Sequence, residues 1–172
     1  LEQLKTRSIA AAGIAPLGAV RVHEDVVLLA ATMHPPPYRT SGARPLVFTR
    51  GSNLPDQVRQ LRRKFADEVL LVSLHWGLER SPKAAAWQRE LAHSLIDAGA
   101  SAVLGHGPHV PQEIEYYANR VIIYSLGNLL FDDTTEHGRG RPPVVLKFAN
   151  TPTGWRLTEL GGPPARTPGG GN

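Results

Sequence analysis

The sequence predicts an α/β fold in which helices pack against a layered sheet. Between residues 55 and 125 the hydrophobic pattern changes in the order helix, strand, helix, strand, strand. The run at 69–74 is a continuous apolar stretch, which is typical of a buried strand. Sheets of this class bind ligands beyond the carboxyl ends of their strands, so polar side chains at those ends are the candidates for function.

The first third of the chain predicts one helix and a strand hairpin. Residues 1–12 have helical spacing that stops at Gly13, and two apolar strands at 20–22 and 26–31 form the hairpin. The stretch 34–54 is rich in Pro and Gly, which predicts a loop with at most a short strand. Because the chain begins inside a helical pattern and without Met, we predict that it is cut from a longer protein.

Two amphipathic helices are predicted in the middle of the chain. The first follows Pro55, which suits an opening helical turn, and its apolar side chains recur at 58, 61 and 65. The second is predicted over 83–98, between an N-cap at Ser81 and a terminating Gly99. Its expected core-facing stripe consists of Trp87, Leu91 and Leu95.

Short apolar runs in the last part of the chain predict closing strands. Residues 161–172 are too rich in Gly and Pro to pack and are predicted to be a disordered tail. We therefore predict one domain over residues 1–160, followed by that tail. The predicted strands are 102–104, 121–125, 144–148 and 155–160.

Composition excludes several classes of function. No cysteine occurs among the 172 residues, which excludes disulfides, thiolate metal sites and a cysteine nucleophile. No apolar run approaches the ~20 residues of a membrane span, so this chain is not expected to cross a bilayer. The net charge of +4, with 15 Arg and 4 Lys, favours an anionic ligand such as a phosphate or a polycarboxylate. The sequence has no basic stripe with interleaved aromatic residues, so we do not expect it to bind nucleic acid. The basic patch at 59–64 is expected to be a solvated helix face.

A histidine stands at the end of the 69–74 strand, in the sequence SLHWGLE. A neutral imidazole at a rigid strand end is a good transition-metal ligand, so His75 is a candidate; the alternative is a buried histidine bonded to a backbone carbonyl. Trp76 is expected mainly to pack as a wall beside the site. Glu79 is a candidate for supporting the ligands or donating a proton, with a solvated side chain as the alternative.

Two further histidines occur in the sequence GHGPHV, directly after the strand at 102–104. Pro108 restricts the backbone between His106 and His109, while Gly105 and Gly107 allow the chain to approach a ligand closely. Two imidazoles on a stiffened loop suit one metal ion or two adjacent ions. The alternative interpretation is an ordinary turn that contains histidine.

A third strand ends in YSLGN, residues 124–128, where Asn128 is a candidate for an amide at the rim of the site. A Gly-Asn pair is also an ordinary turn, so this motif alone is weak. The remaining histidines are expected to have no ligand role. They are His23, His34, His93 and His137.

Together, the segments VSLHWGLE, WQRELAHSLIDAGASAVLGHGPHVPQEIEYY and VIIYSLGNLLFD resemble the bacterial capsule synthesis protein CapA family, also called the poly-γ-glutamate biosynthesis protein family. The resemblance is strongest over 69–132. It implies a fold similar to that of calcineurin-like metallophosphoesterases, an α/β/β/α sandwich with a two-metal site at strand ends. By position, it implies that His75, His106 and His109 are metal ligands. Nitrogen and oxygen donors without thiolate suit divalent Mn, Zn or Fe.

The sequence departs from the family pattern in several ways. The family commonly has a second histidine where Gly107 stands and an aromatic residue where Arg80 stands. Its earlier ligand motifs, resembling GD and NNH, are absent, and three imidazoles do not supply the carboxylate that bridges two metal ions. We therefore predict an N-terminally truncated domain whose metal site is incomplete in this chain.

Three functions remain open from the sequence. The first is a metal-dependent hydrolase of phosphoesters or of a polyanionic polymer, active only when the missing ligands are present. The second is a non-catalytic polyanion-binding or assembly component of capsular polymer synthesis and export, working with other capsule-synthesis proteins. The third is an α/β interaction module without metal. The resemblance implies that the full-length protein acts at the extracytoplasmic face of the cell envelope.

Overall fold

The computed structural model describes residues 19–33, 53–128 and 143–161. The helix predicted at 1–12 and nearly all of the predicted loop and tail lie outside the described residues. The described elements are β1 (Ala19–His23), β2 (Val26–Thr32), α1 (Leu54–Lys64), β3 (Val69–His75), α2 (Ala86–Asp97), β4 (Ala102–His106), β5 (Ile114–Tyr117), β6 (Arg120–Ile123), β7 (Val145–Thr151) and β8 (Gly154–Gly161).

Six of these strands form one sheet in the order β1-β2-β3-β4-β6-β5. Strands β2, β3, β4 and β6 are parallel, while β1 and β5 pair antiparallel at the two edges. Strands β7 and β8 form a separate antiparallel hairpin. The predicted α/β class is confirmed, and the parallel strands all present their carboxyl ends at the same edge of the sheet.

Different elements cover the two faces of the sheet. On one face, Leu70, Val72 and Leu74 of β3 join a buried cluster with side chains of α1 and α2. On the other face, apolar residues of β4 and β6 pack against the β7–β8 hairpin, whose contributors include Leu146, Phe148, Leu157 and Leu160. Because side chains alternate along a strand, Ser73 and His75 lie on the face opposite the helices.

Helix α1 follows its prediction closely. Pro55 lies in its first turn, and it buries Leu54, Val58 and Leu61. The prediction that residues 59–64 form a solvated basic face is wrong for Arg62, which is half-buried. Its guanidinium donates hydrogen bonds to the carbonyl oxygens of Phe65, Glu68 and Gly99 at 2.8–2.9 Å, so it closes the end of the helix.

Helix α2 begins later than predicted. Leu95 is buried and Leu91 packs against the core as predicted, but Trp87 does not. The Ser81 hydroxyl donates to the Lys83 carbonyl at 2.8 Å instead of capping the helix, which starts at Ala86. Trp87, predicted to face the core, is 45% exposed. Gln88 is buried in its place because its Oε1 accepts the Ala85 N–H at 3.0 Å. The other buried residues of α2 are Ala92, Leu95 and Ile96.

Strand β5 was not predicted from the sequence. Within the described part of the chain it pairs only with β6, at the edge of the sheet, and Tyr116 is 64% exposed. It therefore has no clear apolar pattern. Neither helix in the described part of the chain is long and apolar enough to cross a bilayer.

Candidate functional site

The three sequence motifs meet at the carboxyl edge of the parallel strands. Backbone hydrogen bonds continue beyond the strands and join their loops: Trp76 N–H donates to the His106 carbonyl, and Leu126 N–H donates to the Gly105 carbonyl, both at 2.9 Å. The Arg80 N–H also donates to the Pro108 carbonyl at 2.8 Å. These bonds fix the loop after β3 against the end of β4 and the loop that follows it, and they fix the loop after β6 against the end of β4.

Two of the predicted ligands form a pair across neighbouring strands. His75 and His106 are register partners on β3 and β4. Their ring centroids lie 5.3 Å apart, with an angle of 47° between the ring planes. Both side chains are half-buried on the same face of the sheet. The structure therefore brings together the imidazoles that the sequence predicted from two separate motifs.

Hydroxyl groups lie beside both rings of the pair. Thr32, the register partner of His75 on β2, places its Oγ1 3.5 Å from His75 Nδ1. Ser73 Oγ lies 3.1 Å from His106 Nε2. Sequence reasoning did not single out these residues, although Ser73 is two positions before His75 and so shares its face. Ser73 could have been found from the sequence, because it is a polar residue within an apolar strand and lies on the same face as His75.

The environment of His106 favours its uncharged imidazole. Burial lowers the pKa of His106, and the nearby His75 lowers it further by charge repulsion. At neutral pH the His106 ring is therefore neutral, which is the form that binds metal ions.

His109 is brought together with Asn128 at the exposed rim of the site. His109 has a φ of 64°, and its Nδ1 lies 2.9 Å from Asn128 Oδ1. Because an amide oxygen only accepts, Nδ1 carries the proton and Nε2 bears the lone pair in the neutral ring. A metal-binding histidine is commonly oriented in this way by a hydrogen bond at its other nitrogen.

The glycines of the GHGPHV loop allow very close contact with neighbouring backbone. A Cβ on Gly107, whose φ is +121°, would lie 2.4 Å from the Trp76 carbonyl oxygen. A Cβ on Gly105 would lie 2.0 Å from the Tyr124 carbonyl oxygen. The histidine that the family resemblance places at residue 107 is therefore incompatible with this backbone.

Two other predicted residues lie apart from the histidine pair. Trp76 is fully buried on the helix side of the sheet, where its Nε1 donates to the Tyr124 carbonyl at 2.9 Å. It packs as a wall between the strand ends. Glu79 is exposed and makes no hydrogen bond or ion pair with any residue that the structure describes.

The donor set at this edge is partial. Among residues 19–33, 53–128 and 143–161, no group of three or more His, Cys, Asp or Glu side chains is placed to hold a metal ion. Protein sites for transition metals commonly supply at least three ligands. The His75–His106 pair has suitable chemistry, but the described residues by themselves do not fit a complete metal centre.

Comparison with known proteins assigns the chain to a family. The sequence model of a family described as bacterial capsule synthesis protein PGA_cap matches residues 7–133. The chain belongs to this family. The match contains all three strand-end motifs of the PGA_cap chain, including both members of the histidine pair.

Two curated relatives are similar to part of this PGA_cap chain. The PGA biosynthesis protein CapA of Bacillus subtilis (strain 168) is 47% identical over 92 residues, which cover 54% of the chain and 24% of that protein. The capsule biosynthesis protein CapA of Bacillus anthracis is 43% identical over 65 residues, which cover 38% of the chain and 16% of that protein. The chain thus matches at most about a quarter of the length of these relatives.

A solved structure also matches the chain. The crystal structure of a hypothetical protein from Thermus thermophilus aligns with a TM-score of 0.34 and 23% identity. The alignment covers 63% of this chain and 37% of that one.

Proposed function

We propose that this chain is part of a protein that synthesises a bacterial capsule polymer, of which poly-γ-glutamate is the best-supported candidate. The single observation that carries the proposal is the PGA_cap match, which spans the three loops joined at the strand ends. The names of the two curated relatives support the same role. We place the intact protein at the extracytoplasmic face of the cell envelope, alongside other capsule-synthesis proteins.

We further propose that the carboxyl edge of the sheet is a divalent-metal site with phosphoesterase-like hydrolytic activity. His75 and His106 would supply two ligands, whereas His109, held by Asn128 at the exposed rim, is not grouped with them among the described residues. The neutral state of His106 and the hydroxyl groups beside both rings support this role. Mn, Zn and Fe are the ions that suit such donors. The remaining ligands, including a carboxylate, would come from outside the described residues.

A complementation experiment tests the proposal. The gene is deleted in the host, and polymer is measured after expression of the intact protein or of its variants. We expect His75→Ala and His106→Ala to reduce polymer strongly, and His23→Ala, at the exposed end of β1, to restore it. Unchanged polymer in the deletion strain would contradict the capsule role. Full restoration by both site variants would contradict the role of the histidine pair.

The second candidate is a non-catalytic component that binds a polyanionic polymer. The net charge of +4 and the excess of Arg favour it. It predicts that the intact protein binds poly-γ-glutamate in a salt-sensitive manner, and that His75→Ala binds equally well. Absence of salt-sensitive binding would rule out this candidate.

A further inference from the structure

A small cavity lies at the opposite edge of the sheet from the histidine pair. It has a volume of about 120 Å³ and is formed where β3, β4 and β6 begin, between the end of α1 and the β7–β8 turn. Strand β3 separates the two edges by roughly 20 Å, at about 3.3 Å per residue. The lining residues are Arg62, Ala66, Glu68, Ser101, Arg120, Thr153, Gly154 and Trp155.

Two arginines, Arg62 and Arg120, line this cavity. A third, Arg156, does not line it; it is exposed on β8 and bonds the lining residue Thr153. Burial lowers the pKa of both Arg62 and Arg120, and repulsion from a neighbouring arginine lowers each further: Arg120 acts on Arg62, and Arg156 acts on Arg120. Within the described part of the chain, none of the three forms a salt bridge with a carboxylate.

The three arginines differ in how far their donors are already used. Arg62 is committed to backbone carbonyls and to Ser101 Oγ, so its role is structural. Arg120 donates a single hydrogen bond, from Nη1 to the Trp155 carbonyl at 3.1 Å. A guanidinium has five N–H donors, so most of those on Arg120 have no partner among the described residues. Arg156 donates hydrogen bonds to the Thr153 hydroxyl through Nε and Nη2, and to no other residue that the structure describes.

One carboxylate lines the cavity and partly offsets this charge. Burial lowers the pKa of Arg62, whereas the charges of Glu68 and Asp67 raise it. Glu68 Oε1 is already bound by Arg21 Nη2 at 2.6 Å. The uncompensated charge therefore lies on the side of Arg120 and Arg156.

We propose that this cavity binds a phosphate group, held by Arg120 beside the fixed charge of Arg62, with the exposed Arg156 adding positive charge from outside the cavity. The size is suitable, because a cavity of about 150 Å³ holds the six heavy atoms of benzene and a phosphate group has fewer. A doubly charged tetrahedral anion offers oxygens in several directions, so it can accept hydrogen bonds from more than one guanidinium group. The group is either free phosphate or the phosphate of a larger ester. This site is separate from the proposed function and does not depend on it.

Titration calorimetry of the intact protein with inorganic phosphate, at constant ionic strength, tests the proposal. We expect saturable binding that weakens about tenfold or more in Arg120→Gln, since a charged hydrogen-bonding fork is lost. Arg156→Gln should weaken binding by a smaller factor. Arg59→Gln is the matched control, because it removes the same charge from α1 at an exposed position paired with Asp56. We expect its affinity to stay within about twofold of the wild type, since exposed charges contribute little.

Two further measurements keep the test decisive. Arg120→Gln also loses the bond to Trp155, so its fold is checked by circular dichroism; if it fails to fold, Arg156→Gln decides. Titration with glycerol phosphate distinguishes free phosphate from the phosphate of a larger ester. If glycerol phosphate binds as tightly as inorganic phosphate, the natural ligand is an ester; if it binds much more weakly, the ligand is the free ion. The proposal is overturned if phosphate does not bind above a chloride control. It is also overturned if Arg59→Gln weakens binding as much as Arg156→Gln does.

Discussion

His75 and His106 stand opposite each other in the register of two parallel strands, with their ring centroids 5.3 Å apart. The pair is positioned by the sheet itself, since the register is fixed by buried side chains such as Val72, Leu74 and Val103 on the other face. A shift of either strand by one residue would turn its imidazole to the opposite face and separate the pair. The geometry of the candidate site therefore depends on the hydrophobic core behind it.

Gly107→Ala should destabilise the protein more than Gly154→Ala does. Both glycines have positive φ, but a Cβ at 107 meets the Trp76 carbonyl oxygen, whereas a Cβ at 154 has nothing within 4 Å. Gly154→Ala should cost only backbone strain, about 1–2 kcal/mol. Gly107→Ala should cost about 1–3 kcal/mol more because of the clash. Urea denaturation measures both losses, and equal losses would show that the loop after β4 moves freely.

Ser101→Ala should lower the free energy of unfolding by about 1–3 kcal/mol, because it leaves a buried backbone donor without a partner. The buried Ser101 Oγ accepts the Leu70 N–H at 3.0 Å and a hydrogen bond from Arg62 at 3.2 Å. The control is Ser94→Ala, which removes an exposed hydrogen bond to the Glu90 carbonyl. Denaturation curves should separate the two variants, and a Ser101→Ala protein as stable as the control would refute the prediction.

Glu115→Gln should reduce stability at neutral pH and flatten its decline in acid. Glu115 accepts hydrogen bonds from Tyr124 Oη at 2.6 Å and His93 Nε2 at 2.7 Å. These bonds, Tyr124 first, and the charges of His93 and Arg89 lower the pKa of Glu115.

The sign of the effect follows from this lowered pKa. The unfolded carboxylate takes up a proton at a higher pH than the folded one. The contribution of ionised Glu115 to the free energy of unfolding is therefore present at neutral pH. It is lost below about pH 5, as the pH falls through the folded pKa. Glu79→Gln, at an exposed position, is the control. Denaturation curves for wild type and Glu115→Gln that run parallel from neutral to acid pH would contradict the assignment.

The parallel core of the fold could be predicted from sequence because its apolar runs are unambiguous. Strand β3 was predicted within one residue of its bounds, and helix α1 begins one residue before the predicted opening position, Pro55. Strand β5 was missed because an edge strand has too few buried positions to show a pattern. In α2 the core positions of Leu91 and Leu95 were predicted, but Trp87 was wrongly placed in the core, because the buried capping residue is Gln88, which has no apolar signal.

The candidate site was predictable in its histidines but not in their surroundings. The strand-end position of His75 and His106 follows from strand boundaries, which apolar patterns reveal. The hydroxyls of Thr32 and Ser73 depend on strand order and register, which the sequence does not give. Arg62 is half-buried because it bonds the carbonyls of Gly99 and Glu68, whose positions depend on the tertiary fold and cannot be read from the sequence.

Elemental analysis of the intact, dialysed protein tests the central claim most directly. We expect divalent metal in the wild type and in the exposed control His23→Ala, and a strong loss of metal in His75→Ala and His106→Ala. Wild-type metal content in both site variants would contradict the proposal that this histidine pair belongs to a metal centre.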